Sequence, residues 1–198
     1  MGNGSAMRAA PIGLFFHKSP LLTEKAFASA EVTHSHIMEN KGAALQAIAI
    51  DQVLPLDPKE PFPLQLFIDR LLAINLTPEL HEKVGSIRSL LENHVSCVEA
   101  IRVLGKTVAI HESLPFSMYA FLKHPEWFEE SIFCAITNGG DRDTLGAMTG
   151  AISGAYLGID GIPKEWQEKL EKRDLLRGLA LSLLEVLRTM SNPIFGSN

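Results

Sequence analysis

The sequence predicts an all-α protein. Helical periodicity runs through most of the chain, and no clear strand run interrupts it. Alanine, leucine and isoleucine are abundant while aromatic residues make up only 7%, a balance that leans towards helix. Helix start and stop signals recur along the whole length.

Taken in order, Ser19-Pro20 supplies an N-cap and first-turn pair for helical sequence reaching about Ser35. Gly42 to Val53 reads as a mostly buried helix. Leu54 to Pro63 holds four prolines in ten residues and is a loop. Leu64 to Ala73 resumes an apolar helical pattern, and Thr77-Pro78 opens a helix to about Asn93. Ser96 and Glu99 form a capping box for a short helix that Gly105 ends. Glu112 to Lys123 is helical, and Pro125 opens the next helix, to Thr137. Asn138-Gly139-Gly140 is a tight loop before a small-residue helix from Thr144. Pro163 opens a last, amphipathic helix to about Met190. No internal repeat appears, and the whole reads as one unit.

Composition excludes several function classes. The 198 residues suffice for one sizeable domain, and 46% hydrophobic with 21% charged residues is ordinary globular usage. The net charge is −5 and no basic run of five exists, which argues against direct nucleic-acid binding. The two cysteines, Cys97 and Cys134, read as core thiols in a reduced, intracellular protein. The first ten residues lack the apolar core of a signal peptide, and Ala6 stands where myristoylation wants Ser or Thr. The apolar stretch Leu145 to Ile159 is too short to span a bilayer.

The most informative segment for chemistry is Asn138 to Gly158. Asp141 and Asp143, with Thr144 following, supply hard oxygen ligands for Mg²⁺ or Ca²⁺. Carboxylates about 5 Å apart repel by about 3 kcal/mol at an effective dielectric near 20, a cost that a divalent cation converts into binding. The plainer alternative is a helix start whose acids favour the dipole, with Arg142 offsetting their charge. Gly146, Gly150, Gly154 and Gly158 recur every fourth residue. Each helical glycine costs about 1 kcal/mol against alanine, so the stripe implies close packing that fixes the loop on a neighbouring helix.

Gly2-Asn3-Gly4 leads into a helix and can present N–H groups to a phosphate, or is an ordinary turn. It follows no strand, so it is not a dinucleotide fingerprint. His34 and His36 are two apart. On a helix they point to different faces and do not share a metal.

Together these segments resemble the ADP-ribosylglycohydrolase family, the all-α, binuclear-magnesium family that includes the dinitrogenase reductase-activating glycohydrolase. Four stretches carry the resemblance in the family's order: Gly2 to Arg8, Thr33-His34, Val108-Ala109 through Glu112-Ser113 and Pro115, and Gly139-Gly140-Asp141-Arg142-Asp143-Thr144. The branch it looks most like hydrolyses ADP-ribosylserine and degrades poly(ADP-ribose). The resemblance implies an orthogonal multi-helix bundle and a site with two Mg²⁺ ions, of which Asp141, Asp143 and Thr144 match one half. It implies that Gly2, Asn3 and Gly4 contact the diphosphate of ADP-ribose, that His34 contacts substrate and that Val108 packs near the adenosine end. It implies ADP-ribose, ADP-ribosylated proteins or poly(ADP-ribose) as partners, no membrane, and a role in the DNA damage response. The expected setting is the cytoplasm or nucleus, with the mitochondrion and a monomeric state compatible.

Two departures stand out. Arg142 lies where the family carries a small polar residue. The family's Asp-Asp-Thr/Ser ligands and its catalytic glutamate belong to an N-terminal half, and this sequence has no Asp-Asp pair. The expectation is therefore the C-terminal portion of a family domain, incomplete at its N-terminus, with no catalytic residue of its own and weak or no activity alone. The alternative is a non-catalytic ADP-ribose-binding or crystallin-like structural protein. A helical interaction module explains the helices but not the four segments jointly.

Overall fold

A computed structural model of the chain describes residues 2–191. It is built from helices α1 (Gly4–Met7), α2 (Ala10–Phe15), α3 (Leu22–Glu31), α4 (Ile37–Val53), α5 (Leu64–Leu72), α6 (Pro78–Glu92), α7 (Cys97–Leu104), α8 (Ile110–Lys123), α9 (Phe128–Ile136), α10 (Arg142–Leu157), α11 (Lys164–Lys169) and α12 (Arg173–Ser191). Among the described residues the β structure amounts to an isolated antiparallel bridge between Gly2 and Ala109. The all-α multi-helix bundle expected from the sequence is what forms. The chain divides into two compact units, the larger ending at Ile162 and the smaller beginning at Pro163.

In the larger unit α4 and α8 run through the core. Leu45, Ala47, Ala49 and Ile50 of α4 and Ile110, Leu114, Phe116 and Tyr119 of α8 are fully buried. A helix whose apolar residues are spread around it, with no distinct polar face, goes to the centre. Gly42 lets the two come close, since a Cβ there would lie 2.4 Å from Ile110 Cγ1. Gln46 Nε2 donates to the Met148 carbonyl at 3.0 Å and ties α4 to α10. Phe62, Phe67, Phe121 and Tyr156 pack edge-to-face beside them. The glycine stripe of α10 faces α9. A Cβ at Gly146 would lie 3.2 Å from Ile136 Cγ2, and one at Gly150 3.3 Å from Ile132 Cδ1. The expected close packing is present, and it is against side chains rather than backbone.

Several boundaries differ from the sequence reading, each for a local reason. The helix expected to reach Ser35 stops at Glu31. His36 is extended and N-caps α4, its ring accepting from the Met38 N–H while Glu39 reaches back in a capping box. His34 and His36 therefore do not share a helix. Trp127 rather than Pro125 precedes α9. The last helix is two, because Leu170 is extended and Lys172 takes a left-handed φ of 56°. In the smaller unit α12 leaves Leu175, Leu176 and Leu179 exposed. Among the described residues no helix is long and apolar enough to cross a membrane.

The cysteines need a correction. They are not separate core thiols: Cys97, opening α7, and Cys134, in α9, form a disulfide with Cα atoms 5.6 Å apart. Helices distant in sequence bring them within the usual bridging distance, which spacing along the chain does not reveal.

Candidate functional site

Gly2 to Gly4 lies in a frame made by α4 and α8. The Gly2 N–H donates to Glu39 Oε1 at 2.6 Å, and the Ser5 hydroxyl donates to the Glu39 carbonyl at 3.0 Å. Burial pushes the Glu39 carboxyl up, but the N–H groups of Gly2 and His36 and the nearby His34 outweigh it and hold the group below its ordinary value. Its contribution to stability is then present above the unfolded-state pKa and is lost as pH falls through the lower folded one. We expect Glu39→Gln to destabilise the protein at neutral pH and the gap to close in acid, as read by urea unfolding at both.

Asn3 is buried, and its amide nitrogen makes two hydrogen bonds. Nδ2 donates to Ser113 Oγ at 3.1 Å and to Asp141 Oδ2 at 2.7 Å. Ser113 in turn donates to the Ala109 carbonyl at 3.1 Å. One asparagine thus joins the first loop, the start of α8 and the aspartate ahead of α10.

The Gly139–Thr144 loop rests on the segment before α8. Gly139 and Gly140 take φ of 75° and 82°. A Cβ at Gly140 would lie 2.4 Å from the Lys106 carbonyl oxygen, which accepts the Asp141 N–H at 3.2 Å. The Lys106 ammonium donates to the Asn138 carbonyl. Lys106 is itself flanked by an anchored turn. Glu112 accepts from the Thr107 hydroxyl at 2.8 Å and the Thr107 N–H at 3.2 Å. Burial pushes the Glu112 carboxyl up, and the two Thr107 donors outweigh it and lower it overall. Gly140→Ala should cost about 2 kcal/mol or more, because the left-handed conformation alone costs about 1–2 kcal/mol and the methyl meets a backbone oxygen. A urea midpoint unchanged from the parent would refute this.

Asp141 is the N-cap of α10, yet its side chain makes no capping bond. It is half-buried and turned to Asn3. Asp143 is exposed on the first turn and Thr144 is buried. Arg142 is exposed, and among the described residues it forms no ion pair with either aspartate. Two carboxylates and a hydroxyl are hard oxygen donors that suit Mg²⁺. Among the described residues no third His, Cys, Asp or Glu joins them in a metal-sized group.

The His34 ring lies over the glycine loop. A Cβ at Gly4 would meet its Cε1 at 3.2 Å, and one at Gly2 would meet its Nε2 at 3.4 Å. Its Nδ1 is 2.6 Å from Thr33 Oγ1, which also accepts from the Arg8 guanidinium. Val108 is 62% exposed and precedes Ala109, the partner of Gly2 in the bridge.

The other three stretches singled out in the sequence therefore each border the Gly2–Gly4 loop. Glu39, Lys106 and the seating role of Ser113 were not anticipated. Glu39 had a signal, its place three residues after an N-cap, but histidine is not among the residues favoured there.

The sequence profile of the ADP-ribosylglycohydrolase family matches residues 1–193. The chain belongs to that family. Relatives of this chain include ADP-ribosylhydrolase ARH3 of Mus musculus, 33% identical over 217 residues, covering 96% of this chain and 58% of that protein. The ARH3 of Homo sapiens is 32% identical, covering 94% and 58%. An uncharacterised protein of Archaeoglobus fulgidus is 36% identical over 185 residues, covering 92% and 58%. A solved structure described as an ADP-ribosylglycohydrolase-related protein complex superposes with a TM-score of 0.75 at 28% identity, over 92% of this chain and 59% of that one. The chain thus spans somewhat over half the length of the relatives it matches.

Proposed function

We propose that this chain contributes one part of the site of a magnesium-dependent ADP-ribosyl hydrolase. The reaction is hydrolysis of the glycosidic bond of ADP-ribose adducts, O-linked as in ADP-ribosylserine, or of poly(ADP-ribose). The observation that carries the reading is the 2.7 Å bond from Asn3 Nδ2 to Asp141 Oδ2, across 138 residues of chain. It brings together the glycine loop that would receive a diphosphate and the acidic turn that would receive a cation.

Asp141, Asp143 and Thr144 would hold Mg²⁺, which when bound supplies positive charge that orients the sugar and stabilises charge as the bond breaks. Asn3 donates to Oδ2 of Asp141, leaving Oδ1 as the oxygen for a cation. The Gly2 N–H is committed to Glu39, so a diphosphate would be met by the remainder of the loop and by His34. Val108 offers an apolar surface to a base.

Thermal unfolding with Mg²⁺, ADP-ribose, both and neither tests the binding, with Asp141→Ala/Asp143→Ala as control. A ligand at 100 times its Kd adds about 2.7 kcal/mol when it binds only the folded state. The expected result is an ADP-ribose shift that needs Mg²⁺ and is lost in the double variant. A cooperative transition indifferent to both ligands would overturn the reading. Release of ADP-ribose from ADP-ribosylserine peptide, measured in parallel, separates the hydrolase from the binding protein.

A further inference from the structure

A second cluster of ligand-type side chains lies outside the Asn3–Asp141 bridge and has no part in the function proposed above. Cys97 stands at the first position of α7, Cys134 in α9, and His124 at the C-cap of α8. The two Sγ atoms and a His124 ring nitrogen lie within 4.8 Å of one another. Cys134 is buried, while Cys97 and His124 are half-buried.

His124 is presented from a fixed corner. Its N–H donates to the Phe121 carbonyl at 3.1 Å. Its carbonyl accepts from the Ser131 hydroxyl at 2.8 Å and from the Trp127 N–H at 3.1 Å. Among the described residues its ring makes no hydrogen bond and no ion pair. Glu130 and Lys123 act on the ring through their charge, and the imidazole, which the disulfide does not use, stands beside both sulfurs and makes three ligand-type groups at one corner of the fold.

We propose that Cys97, Cys134 and His124 form a redox-gated site for a thiophilic divalent cation of the zinc class, closed in the disulfide form and opened by reduction. Two thiolates and one imidazole are a common zinc donor set, with the fourth position left to water. Zinc takes sulfur at about 2.3 Å and nitrogen at about 2.0 Å, which in a tetrahedron sets the ligand atoms roughly 3.3–3.8 Å apart. A cluster within 4.8 Å reaches that arrangement by side-chain movement once the sulfurs separate.

The chemistry balances in two steps. A dithiol reductant delivers two electrons and two protons to the S–S bond, leaving two cysteine thiols and the oxidised cyclic disulfide of the reductant. The cation then displaces both thiol protons while the neutral His124 ring donates a lone pair, so binding releases two protons to solvent. The donor set is soft, unlike the all-oxygen set at Asp141, Asp143 and Thr144, so the two sites discriminate between cations.

The test is titration of the full chain with Co²⁺ as a spectroscopic probe, before reduction and after reduction with the dithiol removed under nitrogen. The expected result is one Co²⁺ per reduced chain, with thiolate-to-cobalt charge transfer and the visible bands of a tetrahedral ion, both displaced by Zn²⁺. The oxidised chain should show neither. His124→Ala retains both cysteines and forms the disulfide, yet should bind Co²⁺ at least about tenfold more weakly when reduced. Asp141→Ala/Asp143→Ala should leave the charge-transfer band unchanged. The proposal fails if the reduced chain shows no such band, if His124→Ala binds as tightly as the parent, or if reduction removes helical circular dichroism that Co²⁺ does not restore.

Discussion

Phe121→Ala is expected to lower the unfolding free energy by about 3–5 kcal/mol, the usual range for deleting a buried phenyl ring. Phe121 is fully buried and packs edge-to-face on Phe62 at 5.4 Å, on Tyr156 at 5.8 Å and on Phe67 at 6.4 Å. Those rings come from the proline-rich loop, α10 and α5, so the cavity would open where three elements meet α8. Aromatic pairs add about 0.5–1.5 kcal/mol beyond their buried area, which places the loss towards the upper end. Urea unfolding should show a lower midpoint with an unchanged slope. A change below about 1 kcal/mol would mean that these rings do not form the packed core described.

Removing the Cys97–Cys134 link is the second large effect. The disulfide closes a loop of sequence separation 37, and loop-closure entropy puts its contribution at about 4 kcal/mol. In a chain of this size 1 kcal/mol moves Tm by about 2–4 °C. Reductant should therefore lower the midpoint by roughly 8–16 °C, and Cys97→Ser should show the lower midpoint without responding to reductant. Equal melting of the oxidised and reduced parent would show that the link constrains nothing in the unfolded chain.

Much of the architecture was legible because it is written locally. Ser96 with Glu99 marks the start of α7 and Gly105 its end, both by backbone rules that act within a few residues. The buried character of α4 follows from a run with no polar face. What was not legible depends on partners far along the chain. The cysteines look like two unrelated thiols until α8, against which both α7 and α9 pack, brings the two together. Histidine is an uncommon N-cap, so the break at His36 was hidden. At the site, the acidic turn and the glycine loop were each visible, but the use of the Asn3 amide was not. From the sequence Asn3 is a diphosphate contact; in the fold its side chain holds Asp141 and Ser113. Lys106 carried no motif, because it acts chiefly through a backbone carbonyl.

The Asn3–Asp141 bond also has a bearing on how the protein reaches its native state. It joins groups 138 positions apart, among the most non-local contacts the larger unit could make. Closing so long a span has an entropic cost that only previously assembled helices can offset. The acidic turn should therefore gain its final shape late, after α4, α8 and α10 have packed. By the same reasoning it should be among the first parts to loosen in partial unfolding. A chain stalled before that step would hold a helical core without a seated Asp141. Occupancy of the site would then report completed folding as well as the presence of ligand.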